Sequence, residues 1–140
     1  MIDYKKVIQV AKDVLQIESE SILNLTEQLN ENFCQAVQMV VYCQGKVVVT
    51  GIGKSGHIAR KISSTLSSTG TASFYLHPAE SSHGDLGVVS KNDLIIAISY
   101  GGEAAELNAI INYIHRNDIK MIALTGKPES TLAKAATIVL

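Results

Sequence analysis

The chain has 140 residues, of which 46% are hydrophobic and 18% charged, with a formal net charge of −1. This length suits one domain, the apolar content excludes a disordered chain, and the charge balance gives no global attraction to nucleic acid or to an anionic membrane. Aromatics make up only 5%, with no Trp, so a core has to be built from Val, Ile, Leu and Ala, the usual material of a parallel sheet covered on both faces.

From residue 4 to about 42 the pattern is helical. Val7, Val10, Ala11, Val14 and Leu15 recur at three-and-four spacing, with acidic residues between them. Asn30 with Glu31, or Asn32, starts a second helix carrying Phe33, Ala36, Val37, Val40 and Val41, which Gly45 ends. The opening MIDYKKVIQVAKDV carries charge throughout and lacks the apolar stretch of a signal peptide. No apolar run approaches the roughly 20 residues needed to span a bilayer. A soluble, cytoplasmic protein is the expectation, with Cys34 and Cys43 as reduced thiols in preference to a disulfide.

The period then changes. Short β-branched and apolar runs at 46–50, 72–76, 94–99, 120–124 and 137–140 predict five strands. Helices are predicted at 56–68, 103–116 and 130–135, and residues 77–89 as a loop with room for one short helical turn. Such alternation implies right-handed crossovers and a parallel α/β sheet in three layers, α-β-α. The expectation is a single domain over 1–140, with helices over 1–44 and the parallel core over 45–140. The last strand falls at Leu140 with no helix after it, so the C-terminal end reads as incomplete.

In an open parallel sheet, ligands bind beyond the carboxyl ends of the strands. Four polar segments fall there: TGIGKSG at 50–56, HPAESSHGD at 77–85, SYGGE at 99–103 and TGKPES at 125–130. Gly51, Gly53 and Gly56 allow a tight turn and close approach to an anion at a helix start. Lys54 adds charge, and Ser55 a hydroxyl or an N-cap. The alternative is a plain glycine turn with a capping serine and a solvated lysine. Gly101 and Gly102 make a second place for a phosphate. Glu103 and Glu106, three apart, are predicted on one side of a first helical turn, where they serve catalysis or merely meet the helix dipole. His77 and His83 match no standard zinc spacing. They read either as groups that polarise a substrate oxygen or as loop histidines held by backbone bonds. Pro128 is placed at a helix start with Glu129 behind it, and Arg60 and Lys61 on a solvent face or subunit contact.

GKSG, STGT, HP-x-E, HGDLG and TGKPES, in that order, resemble the sugar isomerase (SIS) domain of bacterial arabinose-5-phosphate isomerases. The likeness covers nearly everything after Gly45. It implies interconversion of ribulose 5-phosphate and arabinose 5-phosphate for lipopolysaccharide or capsule sugars, with the phosphate held at Gly53, Ser55 and the loop of Ser99, Gly101, Gly102 and Glu103. It further implies that Gly70, Thr71, His77 and His83 line the sugar and that Lys54 and Glu106 serve catalysis. No cofactor is required, zinc at His77 is an inhibitor, and the protein is a homo-oligomer. Three features depart from the family. Relatives carry Ser-Asn-Ser-Gly-Glu-Ser where this chain has Ser99-Tyr-Gly-Gly-Glu-Ala104, and relatives continue into regulatory CBS domains and a later catalytic histidine. The alternatives are a non-catalytic SIS module that senses a sugar phosphate, or an isomerase of another phosphosugar.

Overall fold

The computed structural model describes residues 2–81 and 84–140. It divides into two compact units, residues up to 31 and residues 32–140. In the first, helix α1 (Tyr4–Asn24) starts where the Asp3 carboxylate accepts from the N–H groups of Lys5 and Lys6. A 3-10 turn over Leu25–Gln28 follows. The helical pattern therefore breaks at 25–30, and α2 (Glu31–Val41) stops four residues short of Gly45.

The second unit holds five parallel strands: β1 (Val47–Gly51), β2 (Ser73–Leu76), β3 (Leu94–Ile98), β4 (Lys120–Leu124) and β5 (Ile138–Val139), in the order β2-β1-β3-β4-β5. Three valines in succession make β1 stiff and fully buried, as β-branched side chains pack well on a pleat covered from both sides. Val47 and Val49 face a cluster with Ala36 of α2 and Ala59 of α3 (Gly53–Ser68). Val48 faces the opposite cluster, with Ile110, Ile111 and Ile114 of α5 (Asn108–Asn117) and Leu132 of α6 (Thr131–Ala135). This is the three-layer arrangement expected.

Several boundaries differ from expectation. Helix α3 starts at Gly53, not Gly56, because Gly53 (φ +57°) turns the chain directly off an extended Ile52. The 77–89 segment contains two helical turns, α4 (Pro78–Ser81) and a 3-10 turn over Asp85–Val88. The helix predicted from 103 begins at Asn108, preceded by a 3-10 turn over Ala105–Leu107. Ser130, not Pro128, caps the last helix; its Oγ accepts from Ala133 N at 3.3 Å.

At the amino end of β3, Asp93 is buried and accepts from Lys46 N (2.9 Å), Ser90 N (2.7 Å) and Lys46 Nζ (2.7 Å). It joins the starts of β1 and β3, whose register pairs Val47 with Leu94 and Gly51 with Ile98.

Candidate functional site

The chain leaves β1 toward β2 on one side, and β3 lies on the other. The strand order reverses between β1 and β3, and a crevice at their carboxyl ends is where a parallel sheet accepts a ligand. Because Gly51 is level with Ile98, the turn after β1 and the loop after β3 leave the sheet side by side. One contributes Gly53, Lys54 and Ser55, the first turn of the 16-residue α3, whose leading N–H groups lack intrahelical acceptors and attract an anion. The other contributes Ser99, Gly101 and Gly102. Lys54 is exposed and Ser55 half-buried; the N-cap position is Ile52, so Ser55 is not the cap.

The second loop is held by three elements. Ser99 Oγ accepts from Gly102 N (3.1 Å). The Tyr100 carbonyl accepts from Gly126 N (3.0 Å) and Thr125 Oγ1 (3.2 Å). The Gly102 carbonyl accepts from Leu132 N (3.0 Å). Gly102 has φ +68°, and a Cβ there would run into the side chain of buried Ser130. Gly102→Ala is therefore expected to cost at least about 1–2 kcal/mol for the left-handed backbone alone. The clash with the α6 cap adds to this, and a lowered denaturation midpoint, with weaker phosphate binding, would be the measured result.

Tyr100, the bulky departure from the family pattern, packs its ring over Gly126 beyond β4. β4 lies on the far side of β3 from β1, so the ring rests away from the crevice and is largely exposed.

Glu103 does not share a helical turn with Glu106. Its two carboxylate oxygens accept from Thr131 N (2.8 Å) and Thr131 Oγ1 (2.7 Å), and these bonds hold its carboxyl below the usual range. The structure thus uses Glu103 as a tie between this loop and the start of α6. Glu106 sits in the 3-10 turn, exposed, beside a fully buried Leu107 that anchors it.

His77 follows β2 at the same rim. Its Nδ1 accepts from Ala79 N (3.2 Å), so the neutral ring carries its proton on Nε2 and can donate to a substrate oxygen. It lines a cavity of about 330 Å³ with Arg60, Tyr75 and Asp85. His83 lies outside the described residues. Among the described residues, no three His, Cys, Asp or Glu side chains are grouped to hold a metal ion, and of these residues His77 offers zinc a single Nε2.

Gly70 and Thr71 lie at the other rim of the sheet within this chain. A parallel crossover must carry the chain back to the amino rim before the next strand, and these two residues lie just ahead of β2, beside the start of β1 (Val47 N to Ala72 O, 2.8 Å). Sequence reasoning in turn missed Tyr75, whose hydroxyl donates to the Gly51 carbonyl (2.8 Å). Thr50, at the head of the TGIGKSG segment, is buried, and its Oγ1 has no hydrogen-bond partner among the described residues. The only signal was period two: Tyr75 shares a strand face with His77.

A parallel sheet whose two glycine-bearing loops meet at the switch point is the frame of an α/β domain that receives a ligand beyond its strands' carboxyl ends. The SIS domain family profile matches residues 40–140, and the chain belongs to that family. Over 130 residues it is 48% identical to arabinose 5-phosphate isomerase KdsD of Escherichia coli strain K12, and over 133 residues 44% identical to arabinose 5-phosphate isomerase GutQ of Salmonella typhi. These matches cover 93% and 95% of this chain but 40% and 41% of the relatives, so the chain spans about two-fifths of their length. The solved structure of c3406 from E. coli CFT073 in complex with arabinose 5-phosphate superposes with a TM-score of 0.92 at 36% identity, covering 99% of this chain and 73% of that one.

Proposed function

We propose that this domain binds a pentose 5-phosphate and interconverts ribulose 5-phosphate and arabinose 5-phosphate. The observation that carries the reading is the pairing of the Gly53–Lys54–Ser55 helix start with the Ser99–Gly102 loop across the switch point, in a chain nearly half identical to arabinose 5-phosphate isomerases. The phosphate sits against the N–H groups of the first α3 turn with Ser55, Ser99, Gly101 and Gly102.

The sugar's carbonyl end then lies toward His77 and Glu106. A base, Glu106, removes a proton from C1 of ribulose 5-phosphate, and the electrons move to the C2 oxygen. The resulting enediolate passes its remaining hydroxyl proton from O1 to O2, and Glu106 returns the carbon-bound proton to C2, leaving the aldehyde at C1. His77 through Nε2–H, and Lys54, stabilise the oxyanion that forms on the way. Zinc bound at His77 would block this donor, which makes it an inhibitor and not a cofactor. Assembly into a homo-oligomer and supply of lipopolysaccharide or capsule sugar synthesis belong to the same proposal. No helix among the described residues is long and apolar enough to cross a membrane.

Incubating the purified chain with ribulose 5-phosphate in EDTA, and following the anomeric protons of arabinose 5-phosphate by NMR, tests the reading. Turnover is the expected result. Binding of the sugar phosphate without turnover would leave a sensor domain instead.

A further inference from the structure

We propose that Tyr75 is a positioning residue for this site: by donating its hydroxyl to the Gly51 carbonyl, it holds the glycine turn at 51–56 in the shape that receives the phosphate. The inference rests on the phosphosugar reading for its functional consequence, though not for its geometry.

Tyr75 is the third residue of β2, the edge strand, and is paired with Val49 of β1. Its half-buried side chain reaches along the sheet to the carboxyl end of β1, where the hydroxyl meets Gly51 O at 2.8 Å. Room for it exists only because residue 56 is glycine: a Cβ there would stand 2.9 Å from the hydroxyl and 2.8 Å from Gly51 O. Arg60, one turn further along α3, lays its guanidinium over the ring at 4.0 Å from the centroid. The His77 ring meets Tyr75 edge-on, with centroids 6.1 Å apart. One side chain therefore touches the end of β1, the start of α3 and the histidine expected at the sugar's carbonyl.

The hydroxyl keeps its proton in this setting, since burial pushes its pKa up, against a smaller downward pull from Arg60. It stays a donor at every pH at which the domain would work. Gly51 lies two residues before Gly53, the left-handed hinge that aims the first N–H groups of α3. With the Gly51 carbonyl released, the turn gains backbone freedom that a bound phosphate must then remove, and the loss falls on ground-state binding more than on proton transfer.

Tyr75→Phe removes the oxygen alone and keeps the ring under Arg60. The expected results are faster amide hydrogen exchange confined to 52–56, and a KM for ribulose 5-phosphate about two- to tenfold higher, the range of one lost neutral hydrogen bond. Turnover at saturation stays within about twofold. Adding Arg60→Gln, which frees the ring, is expected to widen both changes. Unchanged exchange at 52–56 in Tyr75→Phe, with only a lower melting temperature, would overturn the proposal and leave Tyr75 as packing. A wild-type chain with no affinity for the sugar phosphate would sink the phosphosugar reading instead, while the exchange comparison, made without ligand, still decides the clamp.

Discussion

Glu106→Gln is expected to cut isomerisation of ribulose 5-phosphate by about 100- to 10,000-fold, the usual contribution of a positioned proton-transfer group, with KM nearly unchanged. The substitution keeps size and polarity and removes only the ability to accept a carbon-bound proton. It is also mild for the fold. Glu106 is exposed, and its turn is held instead by the neighbouring Leu107, which is 1% exposed and whose N–H donates to the Ala104 carbonyl at 3.0 Å. Surface replacements of this kind usually change stability by about 0.5 kcal/mol or less, so lost turnover cannot be blamed on unfolding. The sharper readout is exchange of the C1 proton with solvent deuterium, which reports the first half-reaction alone. Loss of that exchange with retained binding of the sugar phosphate assigns the base to Glu106. Wild-type exchange in the variant would remove Glu106 from the chemistry and shift the role to a histidine of the 77–83 loop.

The sheet was legible in the sequence because its strands are short apolar runs flanked by glycine and polar punctuation, and a strand buried on both faces needs nothing else. The rim was legible for the same reason: once the strands are placed in parallel, the residues following them have to converge at one end. What the sequence hid depends on partners distant along the chain. Glu103 looked like a first-turn carboxylate because local spacing says so, yet Thr131, 28 residues later, takes both its oxygens and delays the helix to Asn108. Gly102 needed Ser130 beside it before its glycine made sense. Nothing in the local sequence of Tyr75 marks it, because its hydroxyl's partner is the Gly51 carbonyl, 24 residues earlier. Gly70 and Thr71 entered the candidate set by family likeness alone; the crossover places them just before β2, at the other rim of the sheet from His77.

The largest stability effect is expected far from the site, at Asp93→Ala, with a loss of about 3–5 kcal/mol, as for breaking one side of a buried ion pair. The carboxylate is 1% exposed and satisfies three donors at once, the Lys46 ammonium and the N–H groups of Lys46 and Ser90. Alanine leaves the two N–H groups without their acceptor, each at about 1–3 kcal/mol if water does not reach it. The Lys46 side chain is 33% exposed and can turn outward, which keeps the total toward the lower figure. Burial by itself would push the Asp93 carboxyl up; the Lys46 ammonium and the two N–H groups outweigh it and hold the group below its ordinary 3.8. A carboxyl lowered by folding contributes stability that is present above the unfolded value and is lost as pH falls through the folded one. The gap in melting temperature between wild type and Asp93→Ala is therefore expected to be full at pH 7 and to shrink below about pH 4. An equal gap at pH 7 and pH 3 would mean that the backbone acceptor matters and the charge does not. The consequence reaches the ligand rim through register. Asp93 fixes the start of β3 against the start of β1, and a slip of one residue would move Gly51 off its level with Ile98 and turn every side chain of β3 to the other face. Binding of the sugar phosphate is thus expected to weaken in Asp93→Ala even at temperatures where the variant remains folded, although no atom of Asp93 comes near the crevice.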